Sequence, residues 1–194
     1  MDRVDDVVVS TRIRLARNIK KLPFPKRLSG QEEIYSVLMK GVKEACDELF
    51  ETKFYKMCDI DELLAQSYVE KHIISKDLIK NVNFGALAVN ADEDIAVMIN
   101  EEDHIREQCI TDGFDLDGAY KKILRVDEKI SEKLDIAFDP VLGYLTDCPT
   151  NLGAAMRASV MVFLPALTMT KKIDRLINDL QRLEFTTRGV YGEG

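Results

Sequence analysis

Residues 143–161 read GYLTDCPTNLGAAMRASVM: a cysteine, a proline, two threonines, an asparagine and an arginine set among small and apolar residues. Pro149 pushes the backbone of Cys148 toward an extended or turn conformation. Thr150 and Asn151 can bond locally or reach a ligand, and Gly153 permits close backbone approach. From Arg157 onward RASVMVFLP is rich in apolar and β-branched residues, which suits a strand. Side chains alternate along a strand, so Arg157, Ser159 and Met161 share one face. The stretch therefore predicts a thiol held in a loop and a guanidinium projecting from the strand that follows. Each residue alone also has an ordinary reading, the cysteine as a small core hydrophobe and the arginine as a surface charge.

A second segment makes the same kind of offer. Residues 6–18 read DVVVSTRIRLARN. Val7 to Val9 open a strand on which Ser10, Arg12 and Arg14 share one face and Thr11, Ile13 and Leu15 the other. An apolar face toward a core and a doubly basic face toward solvent is the pattern of an anion-binding strand; a solvated basic edge strand has the same pattern. Arg17 follows at a looser position.

The 194 residues fit one domain with a sizeable core, spanning 1–194. Hydrophobic residues at 46% and charged residues at 31% describe a soluble globular chain. A net charge of −7, from 27 basic and 34 acidic residues, argues against nucleic acid as the main partner. The four cysteines, Cys46, Cys58, Cys109 and Cys148, show neither CxxC spacing nor a zinc-like grouping with histidine, so no metal site is expected. The start MDRVDDVVVSTRIR is not a signal peptide and no apolar run reaches membrane-spanning length, so a cytoplasmic location and a free thiol are expected.

Along the rest of the chain, Ser29 is expected to cap a helix from Gln31 to about Phe50 that buries Ile34, Val37, Leu38, Val42, Ala45 and Leu49. A short strand is expected over Lys53–Met57. A second helix runs from Asp59 or Asp61 to His72, where the imidazole compensates the helix dipole. Lys76 to Asn83 reads as polar loop. Ala86–Asn90 and Ile95–Asn100 form a hairpin around the acidic residues 91–94. Next comes Asn100-Glu101-Glu102-Asp103-His104-Ile105-Arg106. Three carboxylates after a buried strand make a solvated turn, a base and clamp for a cationic substrate, or, least favoured, a metal site. A strand over 106–110, a helix from Asp115 or Asp117 to Leu134, a long helix over Ala166–Leu183 with a buried stripe Ile173, Leu176, Ile177 and Leu180, and a strand over Glu184–Val190 complete the reading. The end, RGVYGEG, suits a loop that folds over a ligand.

The ordered segments STRIRLARN, VEKH, INEEDHIR, GYLTDCPTNLGAAMRASVMVFLPAL and RGVYGEG together resemble the ATP:guanidino phosphotransferases, and within them the bacterial protein-arginine kinases. The resemblance implies an α+β fold, a curved antiparallel sheet flanked by helices as in the catalytic part of glutamine synthetase. It implies transfer of the γ-phosphoryl group of ATP, with Mg2+, to arginine side chains of protein substrates. A nucleotide-binding module without transfer, and a kinase of a small guanidino compound, are the alternatives. A cysteine nucleophile acting on guanidino compounds is less favoured, because no histidine partner is fixed by sequence.

Carried over position by position, the resemblance implies nucleotide contacts at Ser10, Thr11, Arg12, Ile13, Arg14, His72, Arg106, Arg157, Ala158, Ser159, Val160, Met161, Arg188, Gly189, Val190, Tyr191, Gly192 and Glu193. It assigns catalysis to Glu102, with Glu101, Cys148 and Glu193. Partners implied are a zinc-binding activator protein, a heat-shock repressor and a Clp unfoldase in a stress-response pathway, and a homodimer. Two departures stand out. The family's Gly-Thr-Gly is Gly153-Ala154-Ala155 here, and the chain stops just after RGVYGEG, as a catalytic domain truncated at its C-terminus would.

Overall fold

The computed structural model describes residues 7–25 and 32–189. Their elements run β1 (Val8–Arg17), α1 (Glu32–Asp47), β2 (Thr52–Lys56), α2 (Glu62–Glu70), α3 (Lys76–Lys80), β3 (Ala86–Asn90), β4 (Ile95–Ile99), β5 (Ile105–Asp112), α4 (Leu116–Lys133), β6 (Phe138–Asp139), β7 (Gly143–Tyr144), β8 (Met156–Val162), α5 (Pro165–Met169) and α6 (Ile173–Arg182). Six strands form one antiparallel sheet in the order β2-β3-β4-β5-β1-β8. This is the expected α+β arrangement, an antiparallel sheet flanked by helices. β6 and β7 pair as a separate short ribbon. No helix among the described residues is long and apolar enough to cross a membrane.

The period-two pattern of β1 decides how the sheet is clad. Thr11, Ile13, Leu15 and Arg17 are buried, and the residues between them are half-exposed. Ile13 and Leu15 join α1 and α4 in one core, through Leu38, Val42, Ala45, Ile123, Val126 and Ile130, under the whole width from β3 to β1. Fully burying one such aliphatic side chain contributes about 1.5–3 kcal/mol, so this layer is the main source of stability. The other sheet face is covered over only part of its width. There Tyr68 and Val69 of α2, Leu78 of α3 and the intervening Ile73 and Ile74 pack on Leu87, Val89, Ala96 and Met98 of β3 and β4. The cover ends on β5, where buried Gln108 donates to the His72 and Ile73 carbonyls at 2.9 and 2.6 Å, and the rest of that face of β5, β1 and β8 carries Arg106, Arg12, Arg14 and Arg157.

The hairpin β3–β4, strands β1, β2, β5 and β8, and helices α2 and α4 fall where the pattern puts them, with Asp61 and Asp115 as N-caps accepting from the Leu64 and Gly118 amides. Four expectations differ. Lys76–Lys80 is helix, not loop: Ser75 caps it, accepting from the Leu78 amide at 3.1 Å, and Leu78 is buried as its anchor. Val37 is 61% and Leu49 37% exposed, because the buried stripe of α1 follows Leu38, Gly41, Val42 and Ala45 and the helix ends at Asp47, short of Phe50. The long C-terminal helix is two, broken at Lys171, whose φ of 55° cannot continue a helix, and the stripe on α6 is only half-buried. Glu184 turns with φ 64° and residues 185–189 form no strand. Ser29 and Gln31 lie outside the described residues.

Arg17 shows what the alternation of β1 requires of a charge on the apolar side. It is 3% exposed, and its guanidinium makes a two-pronged pair with Asp127 of α4, Nε to Oδ1 at 2.7 Å and Nη2 to Oδ2 at 2.9 Å. Its Cζ lies 3.6 Å from the centre of the Tyr144 ring, and Nη1 donates to the Ala16 carbonyl at 2.8 Å. Glu107 of β5 is buried beside this pair, with neither carboxylate oxygen accepting a hydrogen bond. Burial, then the Asp127 carboxylate, hold its carboxyl well above the ordinary range, against the pull of Arg17. Protonated Glu107 leaves the trio electrically neutral, which is the form a dry interior accepts.

Candidate active site

Register assembles the site. Arg14 of β1 lies opposite Arg157 of β8 on one side and Gln108 of β5 on the other, Ala16 lies opposite Arg106, and Arg12 lies opposite Ser159. Four guanidiniums from three strands therefore share one sheet face. Arg14, Arg106 and Arg157 line an open cleft together with Glu102, Asn151, Ala155 and Met156.

The cleft is short of negative charge. Burial, followed by the fields of Arg12, Arg106 and Arg157, pushes the Arg14 guanidinium down to about 9, with only Glu101 opposing. Arg12 is pushed down by burial and then by Arg106 and Arg157. Arg157 is lowered by burial, Arg188 and Arg106, and is supported by Glu102 and Cys148. A guanidinium keeps its proton in proteins, so this push is felt as mutual repulsion that a bound anion relieves. Arg14 Nε is buried without a hydrogen-bond partner, which is what a donor kept for a ligand looks like. Three or four guanidinium forks spaced by strand register suit the many oxygens of a polyphosphate.

The acidic turn divides its work. Glu101 accepts from Ser75 Oγ at 2.7 Å, pairs with Arg106 Nη1 at 2.5 Å and accepts from the Glu102 amide at 2.9 Å. Its side chain is 4% exposed, so it holds Arg106 in place. Asp103 is buried and faces Asn18 and the Asp147 amide. Glu102 is the carboxylate of the three that borders the cleft. Cys148, near enough to act on Arg157, precedes a 3-10 turn over Pro149–Asn151, with Sγ 3.0 Å from Thr150 Oγ1. Among the described residues no cluster of three or more His, Cys, Asp or Glu is poised to hold a metal ion.

The other expected residues are placed as follows. Ser10 and Met161 are paired across β1 and β8 on the arginine face, next to Arg12 and Ser159. Thr11 and Ile13 are on the buried core face, Thr11 Oγ1 donating to the Gly113 carbonyl at 2.7 Å. Ala158 and Val160 fall on the alternate face of β8. His72 has φ 60°, and burial and Arg12 lower its pKa, which puts the imidazole beside the arginine face. Arg188 is near enough to act on Arg157. Gly189 is exposed, and Val190, Tyr191, Gly192 and Glu193 lie outside the described residues. Sequence reasoning passed over Ser75, Asn18 and the burial of Arg17. For Arg17 the signal existed, since period two puts it in one row with Ile13 and Leu15.

The profile described as ATP:guanido phosphotransferase, C-terminal catalytic domain, matches residues 33–194. The chain belongs to this family. Two relatives in the family, the protein-arginine kinases of Clostridium acetobutylicum and Clostridium tetani, are 49% and 47% identical over 98% and 97% of the chain. The chain spans 56% and 55% of the length of those proteins. The duplicated taurocyamine kinase from Schistosoma mansoni with bound transition state analog components superposes with a TM-score of 0.82 at 26% identity, covering 100% of the chain and 28% of that structure. The guanidino kinase architecture is therefore common to chains of quite different sequence.

One departure from the family motif has a backbone consequence. Ala155, at the end of Gly153-Ala154-Ala155, is 6% exposed with φ 47°, and its carbonyl accepts from the Ala16 amide at 2.9 Å. A left-handed backbone costs a residue with a Cβ roughly 1–2 kcal/mol. Ala155→Gly should therefore raise stability by about 1 kcal/mol at this position, read as a higher denaturation midpoint in urea with an unchanged slope. An unaltered or lower midpoint would show that the buried methyl is worth more than the strain.

Proposed function

We propose that this chain is the catalytic portion of an ATP-dependent kinase that phosphorylates arginine side chains of proteins. The observation that supports it most is the meeting of Arg14, Arg106 and Arg157 with Glu102 around one cleft. Phosphoryl transfer asks for charge neutralisation and in-line placement more than for covalent help. The arginine face holds the triphosphate. Mg2+, carried on the phosphates, supplies further neutralisation when bound. The acceptor guanidinium is a poor nucleophile until it loses a proton, with a pKa above ~12. Glu102 takes that proton, the neutral nitrogen bonds to the γ-phosphorus, and the bond to the β,γ-bridging oxygen breaks, releasing ADP. Cys148 offers its sulfur to the incoming guanidinium and forms no covalent intermediate.

A protein as acceptor, and the cytoplasm and a stress-response pathway as setting, are carried by the likeness to the protein-arginine kinases. The zinc-binding activator, heat-shock repressor, Clp unfoldase and homodimer belong to the same reading. Mass spectrometry tests it: with ATP and Mg2+, phosphoarginine should form on an arginine-rich protein even when free arginine is in excess. Phosphorylation of the free amino acid alone would make this a small-molecule guanidino kinase. ADP binding without transfer to either acceptor would make it a nucleotide-binding module.

A further inference from the structure

We infer that Asn18 and Asp103 are positioning residues, a buried clamp that fixes Glu102 against Cys148; the inference rests on the function proposed above. Glu102 and Cys148 stand on two separate loops, residues 100–104 and 145–151, and each must meet the same acceptor. Asp103 follows Glu102 in the chain, and Asp147 precedes Cys148. One oxygen, Asp103 Oδ1, accepts from both the Asp147 amide at 2.8 Å and Asn18 Nδ2 at 2.6 Å. The hydrogen bond thus ties the immediate neighbours of the two site residues.

Asn18 completes the tie from the end of β1. Its Nδ2 also donates to the Leu145 carbonyl at 3.0 Å, and its Oδ1 accepts from the His104 amide at 2.9 Å. One side chain therefore grips both loops and anchors them to the strand that carries Arg12 and Arg14. Asn18 is 1% and Asp103 2% exposed, so water does not compete for these bonds. His104 extends the anchor: its Nδ1 accepts from the Ile19 amide at 3.2 Å, and burial pushes its pKa down to about 4, so the ring stays neutral as that bond requires. Bonds to a carboxylate are about twice as strong as neutral ones, which suits a short connection under geometric load. A misplacement of about 1 Å at a reacting centre can cost about 100-fold in rate.

The test compares the chain with Asn18→Ala and Asp103→Asn. Asp103→Asn keeps a carbonyl oxygen for both donors. For Asn18→Ala, kcat for phosphoarginine formation should fall roughly 10- to 100-fold while ADP affinity by calorimetry stays within about threefold. Alkylation of Cys148 by iodoacetamide, located by peptide mass spectrometry, should change in rate while that of exposed Cys58 does not. Asp103→Asn, which keeps the acceptor but weakens both bonds, should fall between the parent and Asn18→Ala in kcat and in Cys148 alkylation. A folded Asn18→Ala with parental kcat and parental Cys148 alkylation overturns the clamp, as does a loss of ADP affinity equal to the loss of kcat. If the parent transfers no phosphoryl group, the proposed function fails, and alkylation still judges the clamp. If Asn18→Ala does not fold, amide hydrogen exchange in the parent decides: protected Asp147 and His104 amides support the clamp, and a freely exchanging Asp147 amide overturns it.

Discussion

Replacing Glu102 with Gln should lower phosphoarginine formation by roughly 10²- to 10⁴-fold, the usual worth of a positioned general base. The amide keeps the size and one acceptor of the carboxylate but cannot take the proton. ADP affinity should hold within about threefold, because the proposed function gives the phosphates to Arg14, Arg106 and Arg157 of the cleft rather than to this side chain. Raising the pH should not restore the rate, since the acceptor guanidinium stays protonated far above neutrality. Full activity in Glu102→Gln would remove this residue from the chemistry. A parallel collapse of ADP binding would recast it as a nucleotide contact.

The second large effect concerns stability. Arg17→Met should destabilise the protein by about 3–5 kcal/mol, since it leaves Asp127 buried without its cation. For a chain of this size that is a fall of very roughly 6–20 °C in melting temperature. Glu107→Gln should do the opposite as pH rises. The Glu107 pKa is raised in the folded state, so its contribution is fully present below the unfolded value of about 4.3 and is lost as pH climbs through the folded value. Gln stays neutral throughout, so the advantage of Glu107→Gln over the parent should widen from pH 5 to pH 8 in urea titrations. A constant difference across that range would mean that Glu107 does not titrate differently on folding.

Much of this was legible in the chain itself. Alternation in STRIRLAR named Arg12 and Arg14 as a face, and RASVM supplied Arg157. What alternation cannot give is strand order. Only the placement of β1 between β5 and β8 turns three distant arginines into neighbours. The NEEDH turn was legible as an acidic cluster but not as three different roles, because those depend on Ser75, Arg106 and Asn18 arriving from elsewhere. Lys76–Lys80 escapes the sequence pattern because five residues, with only Leu78 and Ile79 apolar, carry too little periodicity to announce a helix. Arg17 was underread because charge was given more weight than phase. The break at Lys171 depends on a single backbone angle that no pattern of side chains announces.

Cladding on both sides across β2 to β4, and mainly on the core side across β5 and β1, partitions the molecule's tolerance for change. The sheathed half is where a new side chain must first fit. The bare half answers mainly to charge and reach, so side chains there can drift or be redesigned with little penalty to folding. The frontier does not follow whole elements. It runs lengthwise through β1, where each step along the strand passes from one regime to the other.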